Sequence, residues 1–100
     1  MLVVDDDPAV GIVLTALLQQ VGFEAIHAAS GEAALERLGS VPIEVVITDL
    51  RMPGMDGMQL LERLVAGWPD IPVIMLTAHG TVSTAVQAMK AGAADFVVSS

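Results

Sequence analysis

Apolar and polar positions in this chain switch between a strand-like and a helix-like period, and the switches fall at regular intervals. Residues 1–5 form a short apolar β-type run that ends in Asp5-Asp6-Asp7. Asp7-Pro8 sets an N-capping acid before a proline at the first helical position. Val10, Val13, Leu14, Leu17, Leu18 and Val21 then recur at helical spacing, up to a stop at Gly22. Residues 23–28 read as a second strand. Ser30 caps a short helix over 31–38, with Leu35 and Leu38 as its apolar edge. Residues 43–48 are a nearly continuous β-branched run, the pattern of a strand covered on both faces, and the run ends at Asp49. The Pro- and Gly-containing stretch 50–57 is a loop. Asp56 with Gln59 has the spacing of a capping box for a helix over 58–66. Residues 72–77 are a fourth buried strand, Thr81 caps a helix that runs to Ala91 and closes at Gly92, and 95–98 begin a fifth strand.

Alternating β and α elements with short connections predict right-handed crossovers and a parallel sheet with helices on both faces. No linker, repeat or low-complexity tract interrupts the series, so residues 1–100 are expected to form one domain. Ligands of such sheets bind beyond the carboxyl ends of the strands. The first strand ends at Asp5-Asp6, the third at Asp49 and the fourth at Thr77. If these strands are neighbours, three carboxylates and a hydroxyl converge at one edge. Bunched carboxylates raise one another's pKa unless a cation sits among them. Hard oxygen ligands on an open cleft favour Mg²⁺, and a carboxylate beside it is placed to become an aspartyl-phosphate.

Composition narrows the field. Twelve acids against four bases give a net charge of −8, which argues against nucleic-acid binding by this segment. The chain is 54% hydrophobic and 16% charged, ample apolar surface for a folded core. It has no cysteine, so disulfides, thiolate metal sites and cysteine nucleophiles are excluded, in keeping with a reducing cytoplasm. No apolar run reaches the roughly 20 residues that span a bilayer, and the amino terminus has no signal-peptide pattern.

Leu2-Val3-Val4-Asp5-Asp6-Asp7-Pro8, the stretch Val45-Val46-Ile47-Thr48-Asp49-Leu50-Arg51-Met52-Pro53-Gly54-Met55-Asp56-Gly57, and Val73-Ile74-Met75-Leu76-Thr77-Ala78-His79-Gly80 resemble the signature segments of receiver domains of two-component response regulators. Residues 85–96 continue the resemblance, which covers essentially the whole chain. In style it is similar to receivers that work on enhancer-dependent transcription. The resemblance implies a flavodoxin-like, doubly wound five-stranded sheet of order 2-1-3-4-5. It implies that Asp49 accepts a phosphoryl group from the phosphohistidine of a sensor histidine kinase. Asp6 would bind Mg²⁺ directly, with Asp5 nearby or acting through water, and the Arg51 backbone carbonyl would be a further ligand. Thr77 would hydrogen-bond the phosphoryl oxygen, Phe96 would be the aromatic that changes rotamer with it, and the small Ala78 would leave access to the site. Such a domain switches an output domain outside this chain and is not itself an enzyme, beyond self-phosphorylation and autodephosphorylation.

Two features depart from the family pattern. Ser99 and Ser100 stand where Lys-Pro is expected, and a serine supplies neither the charge nor the reach of the lysine that pairs with the acceptor. The last helix is missing, so the domain reads as C-terminally truncated. Apolar residues of strands 1, 3 and 5 would then face water or another molecule, which predicts self-association or completion by a segment absent from the chain. Alternatives remain. A pseudo-receiver, an interaction module without phosphorylation, is supported by Ser99. An aspartyl phosphohydrolase would need a second acid where Arg51 stands, and a dinucleotide-binding module would need a G-x-G-x-x-G after the first strand. His27 and His79 read as surface or loop histidines, and Trp68 as a packing residue.

Overall fold

The computed structural model describes residues 1–99; Ser100, expected as proline, lies outside the described residues. Nine elements alternate: β1 (Leu2–Val4), α1 (Pro8–Gln20), β2 (Ile26–Ala28), α2 (Gly31–Ser40), β3 (Val46–Thr48), α3 (Gly57–Gly67), β4 (Val73–Thr77), α4 (Val82–Ala91) and β5 (Asp95–Val98). The strands form one parallel sheet of order β2-β1-β3-β4-β5, as the resemblance implied.

The capping chemistry expected from sequence is present at each helix. The Asp7 carboxylate accepts from the Ala9 amide with Pro8 behind it, and Ser30 accepts from Ala33. Asp56 and Gln59 close a reciprocal box at α3. Thr81 forms a second box with Thr84, and Gly92 ends α4 in the left-handed region at φ 108°, where a Cβ would be strained. Local hydrogen bonds of this kind need nothing distant, which is why they are legible in sequence.

Strand starts are less legible. β2 begins at Ile26 rather than at residue 23, because Phe23, exposed, is still turning out of α1 and its amide donates to Leu18. β3 begins at Val46 rather than at residue 43; Ile43 packs against the core from outside the ladder. Helix α2 runs two residues beyond expectation, to Ser40, and its C-cap amide, that of Val41, donates to Arg37.

Side chains alternate across the sheet. Leu2, Val4, Val46, Val73 and Met75 face α2, α3 and α4, where Ala34, Leu38, Leu60, Leu61, Leu64 and Ala88 complete a closed core. Trp68 packs on its edge. The opposite face carries Val3, Ile47 and Leu76 and, among the described residues, meets only α1. Helix α1 is apolar on more sides than one: Val10, Ile12, Val13 and Leu17 are exposed, as is Val21 at its C-cap, and Gly11 is its buried residue. The expectation that strands 1, 3 and 5 would all expose apolar residues holds only for β5, where Val97 and Val98 are exposed. Val3 and Ile47 are buried, because the central strands are flanked by neighbours and overhung by α1.

Gly57 joins the core to the sheet edge. Its amide donates to the Leu50 carbonyl at 2.8 Å, and a Cβ there would overlap the Asp49 carbonyl and stand 2.8 Å from Leu50 Cα. Both are backbone atoms and cannot swing away. Gly57→Ala is therefore expected to destabilise the domain by about 3 kcal/mol, the upper range for overpacking, measured by urea unfolding; an unchanged midpoint would show that the β3–α3 loop adapts freely.

Candidate functional site

Pairing of β1 with β3 sets Val4 opposite Thr48, so the next residues, Asp5 and Asp49, leave the sheet side by side. The Asp49 amide still donates to the Val4 carbonyl at 3.0 Å, and the Asp5 amide to Ala28 at 3.1 Å. Both acids are thus anchored by ladder hydrogen bonds while their side chains project past the strand ends. Asp6 follows one residue on. One carboxylate oxygen from each of Asp5, Asp6 and Asp49 lies within 4.8 Å of the other two.

Local hydrogen bonds aim these groups. Asp5 Oδ1 accepts from the Asp7 amide at 2.9 Å, an arrangement stabilised by the helix cap at Asp7. Asp49 Oδ1 accepts from the Leu50 amide at 2.7 Å, which fixes the direction of its other oxygen. Asp5 is only 9% exposed. Burial raises its pKa above the ordinary carboxylate value, and the negative charges of Asp49, Asp6 and Asp7 raise it further, against the lowering effect of the Asp7 amide. A donor set of close, hard oxygens around a raised carboxyl fits a divalent cation, which would relieve the repulsion.

Thr77 ends β4, 2% exposed. Its Oγ1 accepts from the His79 amide at 3.0 Å, which leaves the hydroxyl hydrogen free to be donated. Ser99 continues past β5, its amide donating to the Thr77 carbonyl at 2.9 Å. Asp5, Asp6, Asp49, Arg51, Thr77, Ala78 and Ser99 all line one cleft of about 790 Å³, whose other wall is the apolar side of α1 at Val10, Val13, Leu14 and Leu17. Phe96 is not among the lining residues. It is half-buried against the core, its ring edge beside Gly80 in the loop that follows Thr77. His79 lines the cleft as an exposed loop residue. His27 is a correction: it is a half-buried β2 residue whose Nε2 lies 2.8 Å from the Asp5 carbonyl oxygen. Strand periodicity alone gave no sign of that bond. Among the described residues, no helix is long and apolar enough to cross a membrane.

The doubly wound sheet with an acid cluster at the carboxyl ends of β1 and β3 defines a flavodoxin-like α/β domain. The family model of the response regulator receiver domain matches residues 1–99. Response regulator protein FleR of Pseudomonas aeruginosa is 44% identical over 98 residues, which cover 98% of this chain and 21% of that protein. Transcriptional regulatory protein FixJ of Bradyrhizobium diazoefficiens is 41% identical over 95 residues, covering 95% of this chain and 46% of that protein. Among solved structures, response regulator TrrA of Thermotoga maritima in complex with Mg²⁺-BeF matches with a TM-score of 0.89 at 34% identity, over 99% of this chain and 84% of that one. The receiver domain of NtrX from Brucella abortus matches with a TM-score of 0.90 at 32% identity, over 97% of this chain and 82% of that one. The chain belongs to the response regulator receiver domain family. It spans less than half the length of either curated relative.

The raised carboxyl of Asp5 has a consequence for stability. A group whose pKa is higher in the folded state adds stability below its unfolded value and loses that contribution as pH rises through the folded value. At neutral pH without metal, the ionised Asp5 therefore weakens the fold. Asp5→Asn is expected to raise the melting temperature by a few degrees at pH 7 in EDTA, with the difference fading towards pH 4. A lower melting temperature for the variant at pH 7 would show that the Asp7 hydrogen bond outweighs burial and repulsion.

Proposed function

We propose that this domain is a phosphorylation switch in which Asp49 accepts a phosphoryl group from the phosphohistidine of a sensor histidine kinase. The observation that carries the reading is the grouping of Asp5, Asp6 and Asp49 within 4.8 Å in the cleft that also holds Thr77. Asp6 and Asp49 would hold Mg²⁺, with Asp5 direct or through water and the Arg51 carbonyl as a further ligand. Bound there, Mg²⁺ neutralises charge on the transferring group. The free Asp49 oxygen attacks phosphorus, a new O–P bond forms, and the P–N bond breaks with its electron pair returning to the imidazole. Thr77 donates its hydroxyl hydrogen to a phosphoryl oxygen, and its movement, with Phe96, passes the signal on. The output domain lies outside these residues, the setting is the cytoplasm, and the process served is transcription regulation. The domain turns over no external substrate; it phosphorylates itself from a donor and dephosphorylates itself.

Ser99 modifies this scheme. It lines the cleft where the family's lysine is expected, which leaves Mg²⁺ and Thr77 to hold the phosphorylated state. A pseudo-receiver, with the fold and no switching, is the reading that failure of the following experiment would favour. Incubation with Mg²⁺ and a small-molecule phosphodonor is expected to add one phosphoryl mass to the chain. The adduct is expected to be lost in EDTA and in Asp49→Asn, and longer-lived in Ser99→Lys. No adduct from a folded, Mg²⁺-binding protein would sink the phosphoacceptor assignment.

The apolar wall of α1 and the exposed Val97 and Val98 of β5 support self-association, with a second copy covering the part of this face that α1 leaves open. With a net charge of −8, copies repel at low ionic strength and associate more readily as salt screens them. Light scattering over a concentration series is expected to show a dimer that strengthens with added salt. A monodisperse monomer at high concentration and high salt would refute it.

A further inference from the structure

His27 sits in β2 opposite Val3 of β1, and its Nε2 lies 2.8 Å from the Asp5 carbonyl oxygen. A carbonyl can only accept, so Nε2 carries the hydrogen and donates it. The strand holds the same residue from its other end, through the Asp5 amide to Ala28, and the Asp7 amide holds Oδ1. Asp5 is thereby fixed at amide, carbonyl and carboxylate. Its carbonyl belongs to the rigid peptide plane that joins it to Asp6. The bond that fixes this oxygen therefore also sets the direction in which Asp6 leaves the sheet.

Room for the ring comes from α1. A Cβ on Gly11 would overlap Nε2 of His27 and stand 2.7 Å from Cε1, so the imidazole occupies the volume that any side chain at residue 11 would fill. Glycine in a helix interior is destabilising, and here it accommodates the ring. Two residues distant in sequence are thus fitted to each other at the point where β1 delivers its acids.

We propose that His27 is a positioning residue for the acid pair: through its hydrogen bond to the Asp5 carbonyl it orients the Asp5–Asp6 peptide and raises the affinity of the carboxylates for a divalent cation. This rests on the reading of the cluster as a Mg²⁺-dependent acceptor site. Hydrogen bonds that orient a ligand without touching the metal typically change its affinity by roughly 10–100-fold. His27→Phe keeps an aromatic ring in the space and removes the donor, whereas His27→Gln keeps an N–H on a non-aromatic side chain.

Mg²⁺ titration by calorimetry is the test, with the phosphorylation rate from a small-molecule donor measured at saturating Mg²⁺. The Phe variant is expected to raise the Mg²⁺ dissociation constant about tenfold, and the Gln variant to recover most of the affinity. The rate at saturating Mg²⁺ is expected to stay within about twofold in both. Wild-type affinity in the Phe variant, or an equal loss in both variants, overturns the proposal and leaves His27 as packing. Imidazole ¹⁵N spectra of the unmodified chain at neutral pH provide a check that needs no substitution. Protonation at Nε2 is expected, and a tautomer protonated only at Nδ1 overturns the proposal. Absence of Mg²⁺ binding by the wild-type chain instead overturns the acceptor-site reading itself, and this inference with it.

Discussion

The parallel register between β1 and β3 is the constraint on which the site depends. Val4 opposite Thr48, with the Asp49 amide still bonded to Val4, brings two acids from separate parts of the chain to one edge. A shift of one residue in either strand would turn each side chain to the other face and separate Asp5 from Asp49. The register is enforced by the closed core: Leu2 and Val4 on β1 and Val46 on β3 enter the same layer as the leucines of α3. Hydrophobic burial thus supports an electrostatically unfavourable arrangement. The carboxyl of Asp5 is raised first by burial and then by the neighbouring negative charges, a sign of what the fold imposes on this edge.

The two faces of the sheet are unequal, and the inequality shapes the cleft. Among the described residues, three helices seal one face, whereas α1 alone overlies the other and leaves an apolar wall beside the acids. A charged cluster with a greasy flank has a lower local dielectric on that side, which strengthens the electrostatic interactions of the acids. The same flank exposes Val10, Val13 and Leu17. The acid cluster and this exposed apolar flank line one and the same cleft.

Much of the fold was legible. Asp7-Pro8, Ser30, Asp56 with Gln59, Thr81 and Gly92 marked helix ends within a residue or two, because each cap is satisfied by atoms two to four positions away. The acids at the strand ends were legible as a set, since apolar runs that stop at Asp5 and Asp49 announce where the sheet edge lies. The start of β2 and the start of β3 were not, because whether a β-branched residue joins a ladder depends on having a partner strand alongside. Exposure along α1 was not legible for a related reason: helical spacing identifies an apolar stripe but not how much of it finds a surface to cover.

The sequence by itself determined the element order, the caps, the parallel architecture and the candidates for the acid site. These follow from short-range periodicity and from residue chemistry. Only the tertiary structure decided that Val3 and Ile47 are buried while Val97 and Val98 are exposed. It also decided that Phe96 rests outside the cleft and that Ser99 lies within it. The His27 bond to the Asp5 carbonyl, with Gly11 making room, belongs to this second group. The reason is physical: such contacts join residues far apart in sequence, and no local pattern records which strand, helix or ring will stand beside which once the chain has closed on itself.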